Sequence, residues 1–175
     1  MNAAERRDKI KSLLRGADKP LSAGNLAMEF AVSRQIIVGD IALMRAAGQH
    51  ILATPRGYIL EREEENDYFE HSLACTHNAA QVADELYTVI DHGGGVIDVT
   101  VDHSVYGQIS APLHLFSRFD IDEFLRKLET SHARPLSALT DGIHLHRIRC
   151  KDEVVFQRVE QALREKGYLY EKSSR

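Results

Sequence analysis

LSAGNLAMEFAVSRQIIVGDIALMRAAGQHILATPRGYIL, residues 21–60, sets two short helical patterns, a tight break and two β-prone runs in immediate succession. Ser22 is a good N-cap for a helix carrying Leu26, Ala27 and Phe30. The break at Ala31-Val32 leads to Ser33, whose hydroxyl can hold the orphan N–H groups of a second helix. From Ser33 to Ala47 the residues Ile37, Ile41 and Met44 recur at i, i+4 and i+7 and form one buried stripe, with Gly48 as the stop. Ile51–Thr54 and Tyr58–Leu60 read as strands joined by Pro55-Arg56-Gly57, with Pro at position i+1 and Gly at i+3 of a turn. Helix, turn, helix and ribbon in this order predict a winged helix-turn-helix, a fold that points to duplex DNA.

The face of the second helix opposite its buried stripe carries Arg34, Gln35, Val38, Ala42 and Arg45. It is polar at the N-terminal end, where recognition helices touch base edges, and small in the middle, where the helix must lie close to the major groove. Ser33, Arg34, Gln35, Val38 and Arg45 on the helix and Arg56 at the wing tip are therefore the expected DNA contacts, Arg56 toward a phosphate or a narrow minor groove. The competing expectation is a small packing module, because winged helices also serve as protein-interaction domains.

Charge is divided along the chain. The net value is −4, yet residues 1–62 hold ten Lys or Arg against six Asp or Glu, while the rest holds twelve against twenty. Phosphate would repel the acidic remainder, so the pattern fits a DNA-binding head on a body with another task. The N-terminus, MNAAERRDKIKSLL, is a charged amphipathic helix without the apolar core of a signal peptide. No apolar run has the length of a membrane span, and Cys75 and Cys150 form no disulfide framework, so a reducing cytoplasm is expected. The charge run EREEEND, Glu61–Asp67, is the expected boundary between a DNA-binding domain at 1–62 and a second domain at 68–171.

In the second half, Tyr68–Thr76, Val96–His103, Gln108–Phe116 and Ile143–Cys150 read as strands. Asn78–Asp91, Asp120–His132 and Glu153–Lys166 read as helices, with Val82, Leu86 and Val89 inward on the first and Ile121, Phe124, Leu125 and Leu128 on the second. The order β-α-β-β-α-β-α predicts an α+β protein whose second domain is a two-layer sandwich, an antiparallel sheet with helices on one face.

Nine histidines are many for 175 residues. His144 and His146, at i and i+2 of a strand, leave the same face about 7 Å apart and can converge on one ion. His77 with Glu85 is the best further source of ligands. On one ideal helix that pair would stand about 12 Å apart along the axis and about 80° around it, so His77 must precede the helix or fold back over it. Asp84 shares the helical face of His77 better and competes with Glu85. Spacing leaves that choice open.

VSRQIIVGDIALMRAAG, ILATPRGYIL, the His77 to Glu85 spacing, VDHSVYGQ and HLHRI together resemble the niacin-responsive transcriptional repressors, which join a winged helix to a C-terminal 3H domain. The likeness spans nearly the whole chain. It implies an HPr-like sandwich that forms a homodimer and binds a divalent metal through His77, Glu85, His144 and His146, favouring Glu85 over Asp84. Three imidazoles and a carboxylate suit nickel or zinc, and also cobalt or iron. The resemblance further implies nicotinic acid as corepressor and double-stranded operator DNA before genes of NAD biosynthesis or niacin uptake as target. Nicotinic acid is expected beside the metal, with His103 and Tyr106 lining its pocket; the alternative for that pair is a turn-stabilising contact.

Two other functions compete. One is a metal-dependent enzyme with an accessory winged helix, but the sequence has no HExxH helix and no GxSxG elbow, and Gly93-Gly94-Gly95 lacks the lysine of a phosphate loop. The other is a repressor for which the metal itself is the signal.

Overall fold

The computed structural model describes residues 1–61 and 68–171, so the expected boundary run lies, past Glu61, outside the described residues. The chain divides into two compact units, Met1–Glu64 and Glu65–Arg175.

In the first unit α1 (Ala3–Gly16), α2 (Ala23–Glu29) and α3 (Arg34–Ala46) precede a two-stranded ribbon, β1 (Ile51–Thr54) and β2 (Gly57–Leu60). Local chemistry sets each helix start. Asn2 and Glu5 form a reciprocal capping box on α1, Ser22 accepts from the Asn25 N–H at 3.0 Å, and Ser33 accepts from the Ile36 N–H at 3.3 Å. Ile10 and Leu14 of α1 meet Leu26 of α2 and Ile37, Ile41 and Met44 of α3 in one buried cluster. The predicted stripe is thus the inner face of α3. The ribbon pairs Ile51 with Leu60 and Thr54 with Gly57, leaving Pro55-Arg56 as a two-residue turn.

In the second unit four antiparallel strands run in the order β3 (Phe69–Thr76), β6 (Ile143–Cys150), β4 (Gly95–His103), β5 (Gly107–Leu115). Helices α4 (Val82–Asp91), α5 (Arg118–Thr130) and α6 (Glu153–Glu165) complete the α+β sandwich. One core joins Leu73, Val99, Leu113 and Ile148 of the strands to Leu86, Ile121 and Leu163 of the helices. Glu70, Arg147, Arg149 and Asp98 are instead tied to one another by Arg149–Glu70 at 2.5 Å and Arg147–Asp98 at 2.8 Å.

Two departures from regular geometry position the site. The register of β4 slips between Val96 and Asp98, so one extra residue turns the phase of the strand, which lets Val96 and Val99 both be buried. The expected helix at Asn78 begins as a 3₁₀ turn, Ala79–Gln81, under a capping box between Asn78 and Gln81; the α-helix starts only at Val82.

Candidate metal centre and nucleic-acid interface

Because the 3₁₀ turn separates it from α4, His77 lies before the helix and turns its ring toward Glu85 instead of following the helical spiral. Across the sheet, alternation sends His144 and His146 of β6 to the side that carries Glu85. The His77 Nε2 lies 2.6 Å from one Glu85 oxygen, His146 Nε2 3.4 Å from the same oxygen, and His144 Nε2 3.2 Å from the other. All four residues are buried, Glu85 at 1 % exposure.

The outer ring nitrogens fix the tautomers. Nδ1 of His77 donates to the Asn78 carbonyl at 2.9 Å, that of His144 to the Gly142 carbonyl at 2.8 Å, and that of His146 to the Asp98 carbonyl at 2.7 Å. Carbonyls only accept, so each Nδ1 carries its proton; the carboxylate also only accepts, so a neutral ring would turn an Nε2 lone pair toward it and each contact needs a second proton or a metal ion at Nε2. Three lone pairs and a carboxylate converging inside a protein call for a cation: either protons on the imidazoles or one metal ion. Backbone carbonyls that hold the far nitrogen of a histidine are the usual outer support of a metal ligand. The donor set therefore fits a divalent metal, which His77, Glu85, His144 and His146 would hold.

Electrostatics records the same strain. Burial drives the Glu85 carboxyl upward, but the histidines, led by His146, hold it well below the usual carboxylate range. Burial lowers His77 and His146, and Glu85 more than reverses this, so both are raised above the ordinary histidine value. Asp84 faces elsewhere: Lys166 at 2.8 Å and the Tyr168 hydroxyl at 2.6 Å hold it. Cys75 is a neighbour that sequence reasoning missed. It pairs with His144 across β3 and β6, and its Sγ joins Glu85 and His144 in a group of donor atoms within 4.8 Å of one another. Burial, with Glu85 beside it, pushes this thiol upward.

Beside these four residues opens a cavity of about 220 Å³, walled by Val99, Leu113, Phe124 and Leu128 and bordered by Arg134 and Ser137. His103 and Tyr106 do not line it. They sit at the β4–β5 turn, their rings stacked with centroids 5.1 Å apart, and His103 Nδ1 accepts from the Val105 and Tyr106 N–H groups at 3.2 and 3.3 Å. With Tyr106 77 % exposed, the pair braces a hairpin turn away from this cavity, the alternative expected for it.

In the first unit, Arg34 and Gln35 are exposed at the start of α3, Val38 is half-buried, and Ser33 caps the helix. Arg45 has a structural task that its spacing did not reveal: its Nε donates to the Ile51 carbonyl at 2.7 Å and its guanidinium lies over the Tyr58 ring, tying α3 to the ribbon. Arg56 stands in the turn of the ribbon, half-buried, with its N–H on the Thr54 hydroxyl. Sequence reasoning also missed Asp40, a buried acid on α3 held by Arg6 at 2.6 Å and Arg7 at 3.4 Å. A charge in an otherwise apolar stripe was its only signal.

A winged helix-turn-helix joined to a separate sandwich with a buried metal-ready cluster defines a two-part DNA-binding regulator. Residues 6–59 match the HTH domain family and residues 70–172 the 3H domain family. The chain is 37 % identical over 169 residues to the probable transcription repressor NiaR of Thermotoga maritima, covering 95 % of each chain. It is 37 % identical over 168 residues to the transcription repressor NadR of Bacillus subtilis, covering 95 % of this chain and 93 % of the other. The chain belongs to this family of transcription repressors and itself joins an HTH domain to a 3H domain. Among the described residues no helix is long and apolar enough to cross a membrane.

Proposed function

We propose that this repressor controls genes of NAD biosynthesis or niacin uptake and that nicotinic acid, bound beside a divalent metal in the 3H domain, is its corepressor. One observation carries the reading: a buried cluster of three histidines and a carboxylate, His77, His144, His146 and Glu85, borders a cavity large enough for one small ring. His77, Glu85, His144 and His146 would hold the metal, nickel or zinc by donor chemistry. When bound, the metal supplies a Lewis-acid position for a donor atom of the effector.

The chain's own groups do the rest. Apolar walls exclude water and take the ring, and the three Nδ1 hydrogen bonds keep the imidazoles aimed. A metal-only sensor would need no such space. Two chains, joined through the 3H domains as a homodimer, would set two α3 helices on the half-sites of a palindromic operator. Arg34 and Gln35 then read base edges, and Ser33, Val38, Arg45 and Arg56 approach the groove walls and phosphates. The effector raises operator affinity only by the difference in its affinity for the DNA-competent and incompetent states. Calorimetry of nicotinic acid against metal-loaded and metal-stripped protein tests the reading: binding to the loaded form alone is expected, and no binding to either overturns it.

A further inference from the structure

Cys75 stands at the buried cluster yet takes no part in the set of four residues proposed to hold the metal. Its side chain is 0 % exposed. Cross-strand pairing sets it opposite His144, and partners across an antiparallel ladder project to the same face, so sulfur and imidazole share one side of the sheet. Its Sγ, a Glu85 oxygen and a His144 ring nitrogen all lie within 4.8 Å of one another. Along its other edge β3 is covered by residues 168–170: the Thr76 N–H donates to the Tyr168 carbonyl and the Tyr170 N–H to the Ala74 carbonyl, each at 2.8 Å. The sulfur is thus enclosed with the cluster.

Metal–ligand distances decide whether that spacing is one of coordination. Bonds of about 2.3 Å to sulfur and about 2.1 Å to nitrogen or oxygen leave two donors of one ion at most about 4.4 Å apart. A triangle within 4.8 Å therefore closes on one ion with an inward movement of about 0.4 Å or less. Charge calls for the same donor. Glu85 sets one negative charge against the two positive charges of a divalent ion, and a buried charge left uncompensated is costly. Asp84 is turned to Lys166 and Tyr168 and brings no relief. A thiolate at Cys75 makes the enclosed centre neutral. It also leaves the cavity free, since His77, Glu85, His144 and His146 border that space and Cys75 does not.

We infer that Cys75 is a fifth protein donor to the divalent metal, a thiolate that makes the centre charge-neutral and selective for zinc, cobalt or nickel over manganese and magnesium. This rests on the metal part of the proposed reading and goes beyond it. On binding, Cys75 gives a sulfur lone pair and releases its thiol proton to solvent. Manganese and magnesium prefer oxygen donors and gain nothing from the sulfur. Cys150 is the internal comparison, because it pairs with Phe69 at the far end of the same two strands, roughly 20 Å from His144 along β6.

X-ray absorption of the full wild-type chain loaded with zinc tests the inference without any substitution. One sulfur at about 2.3 Å beside nitrogen and oxygen at about 2.0–2.1 Å is expected. Nitrogen and oxygen alone overturn the inference and leave the four-residue site standing. Cobalt gives a second reading: a sulfur-to-cobalt charge-transfer band in the near ultraviolet should appear in wild type and Cys150→Ser and vanish in Cys75→Ser. Persistence of the band in Cys75→Ser overturns the assignment. Zinc affinity of Cys75→Ser should fall at least about tenfold, no less than the loss of a ligand's outer support produces, while manganese affinity stays unchanged. Equal losses for both metals mark Cys75 as packing and also overturn it. Failure of zinc and cobalt to bind wild type overturns the metal site and this inference together.

Discussion

Replacing Gly142 by Ala tests whether the metal centre is held from its backbone outward. Gly142 is not one of the four residues proposed to hold the metal, but its carbonyl accepts the His144 Nδ1 proton at 2.8 Å. Its φ is +94°, and a Cβ built there collides with the backbone carbonyl of His77. No rotamer relieves a clash with backbone. Alanine in this conformation costs about 1–2 kcal/mol and the strained His144 bond about 1 kcal/mol more, so the clash brings the loss of stability to roughly 2–4 kcal/mol. Any relaxation moves His77 or His144 off its aim, which should lower metal affinity about 10- to 100-fold, the range seen when the outer support of a ligand is removed. Gly107→Ala is the control. Gly107 has φ +71° with nothing within 4 Å of an added Cβ, so it should show the backbone cost alone and bind metal as wild type does. Competition with a chromophoric chelator reads the metal, and thermal unfolding reads the stability. Wild-type metal affinity in Gly142→Ala would refute the claim that His77 and His144 are aimed through this contact.

Arg34→Ala or Gln35→Ala should each weaken specific operator binding by about 1–3 kcal/mol, whereas Arg56→Ala should act on general affinity and salt dependence; unchanged binding in all three would remove α3 and the ribbon from the interface. Asp40→Asn leaves Arg6 facing a neutral group in a buried contact and should lower the stability of the first unit by about 2–4 kcal/mol, read by chemical denaturation. In metal-free protein the raised His77 and His146 contribute stability that is complete below the ordinary value of 6.5 and is lost as pH rises through their raised values. Metal binding needs the neutral imidazoles, so the rise in unfolding temperature caused by metal should grow between about pH 6 and pH 8; a constant rise would contradict the sign of both shifts.

The fold was readable because its periodicities are unbroken where they matter. Ile37, Ile41 and Met44 announce the inner face of α3, and the alternation through His144 and His146 places both rings on one side of β6 before any pairing is known. The site was only half readable. The choice of Glu85 over Asp84 depends on a 3₁₀ turn that changes the rotation between His77 and α4, and on Lys166 and Tyr168, which engage Asp84 from the far end of the unit. Cys75 enters through strand register, a pairing of residues 69 positions apart. Arg134 and Ser137 lie in a segment where no period marks an inward residue. His103 and Tyr106 misled for the opposite reason: a histidine and an aromatic residue three apart suit a pocket, yet they also suit a hairpin turn.

The central claim is that the buried cluster and its cavity govern DNA binding. Operator affinity of the full chain, measured by fluorescence anisotropy on its own upstream region, tests it with metal alone, with metal and nicotinic acid, and with nicotinic acid after chelation. Tight binding only when metal and nicotinic acid are both present is the predicted result. The same affinity in all three would contradict it.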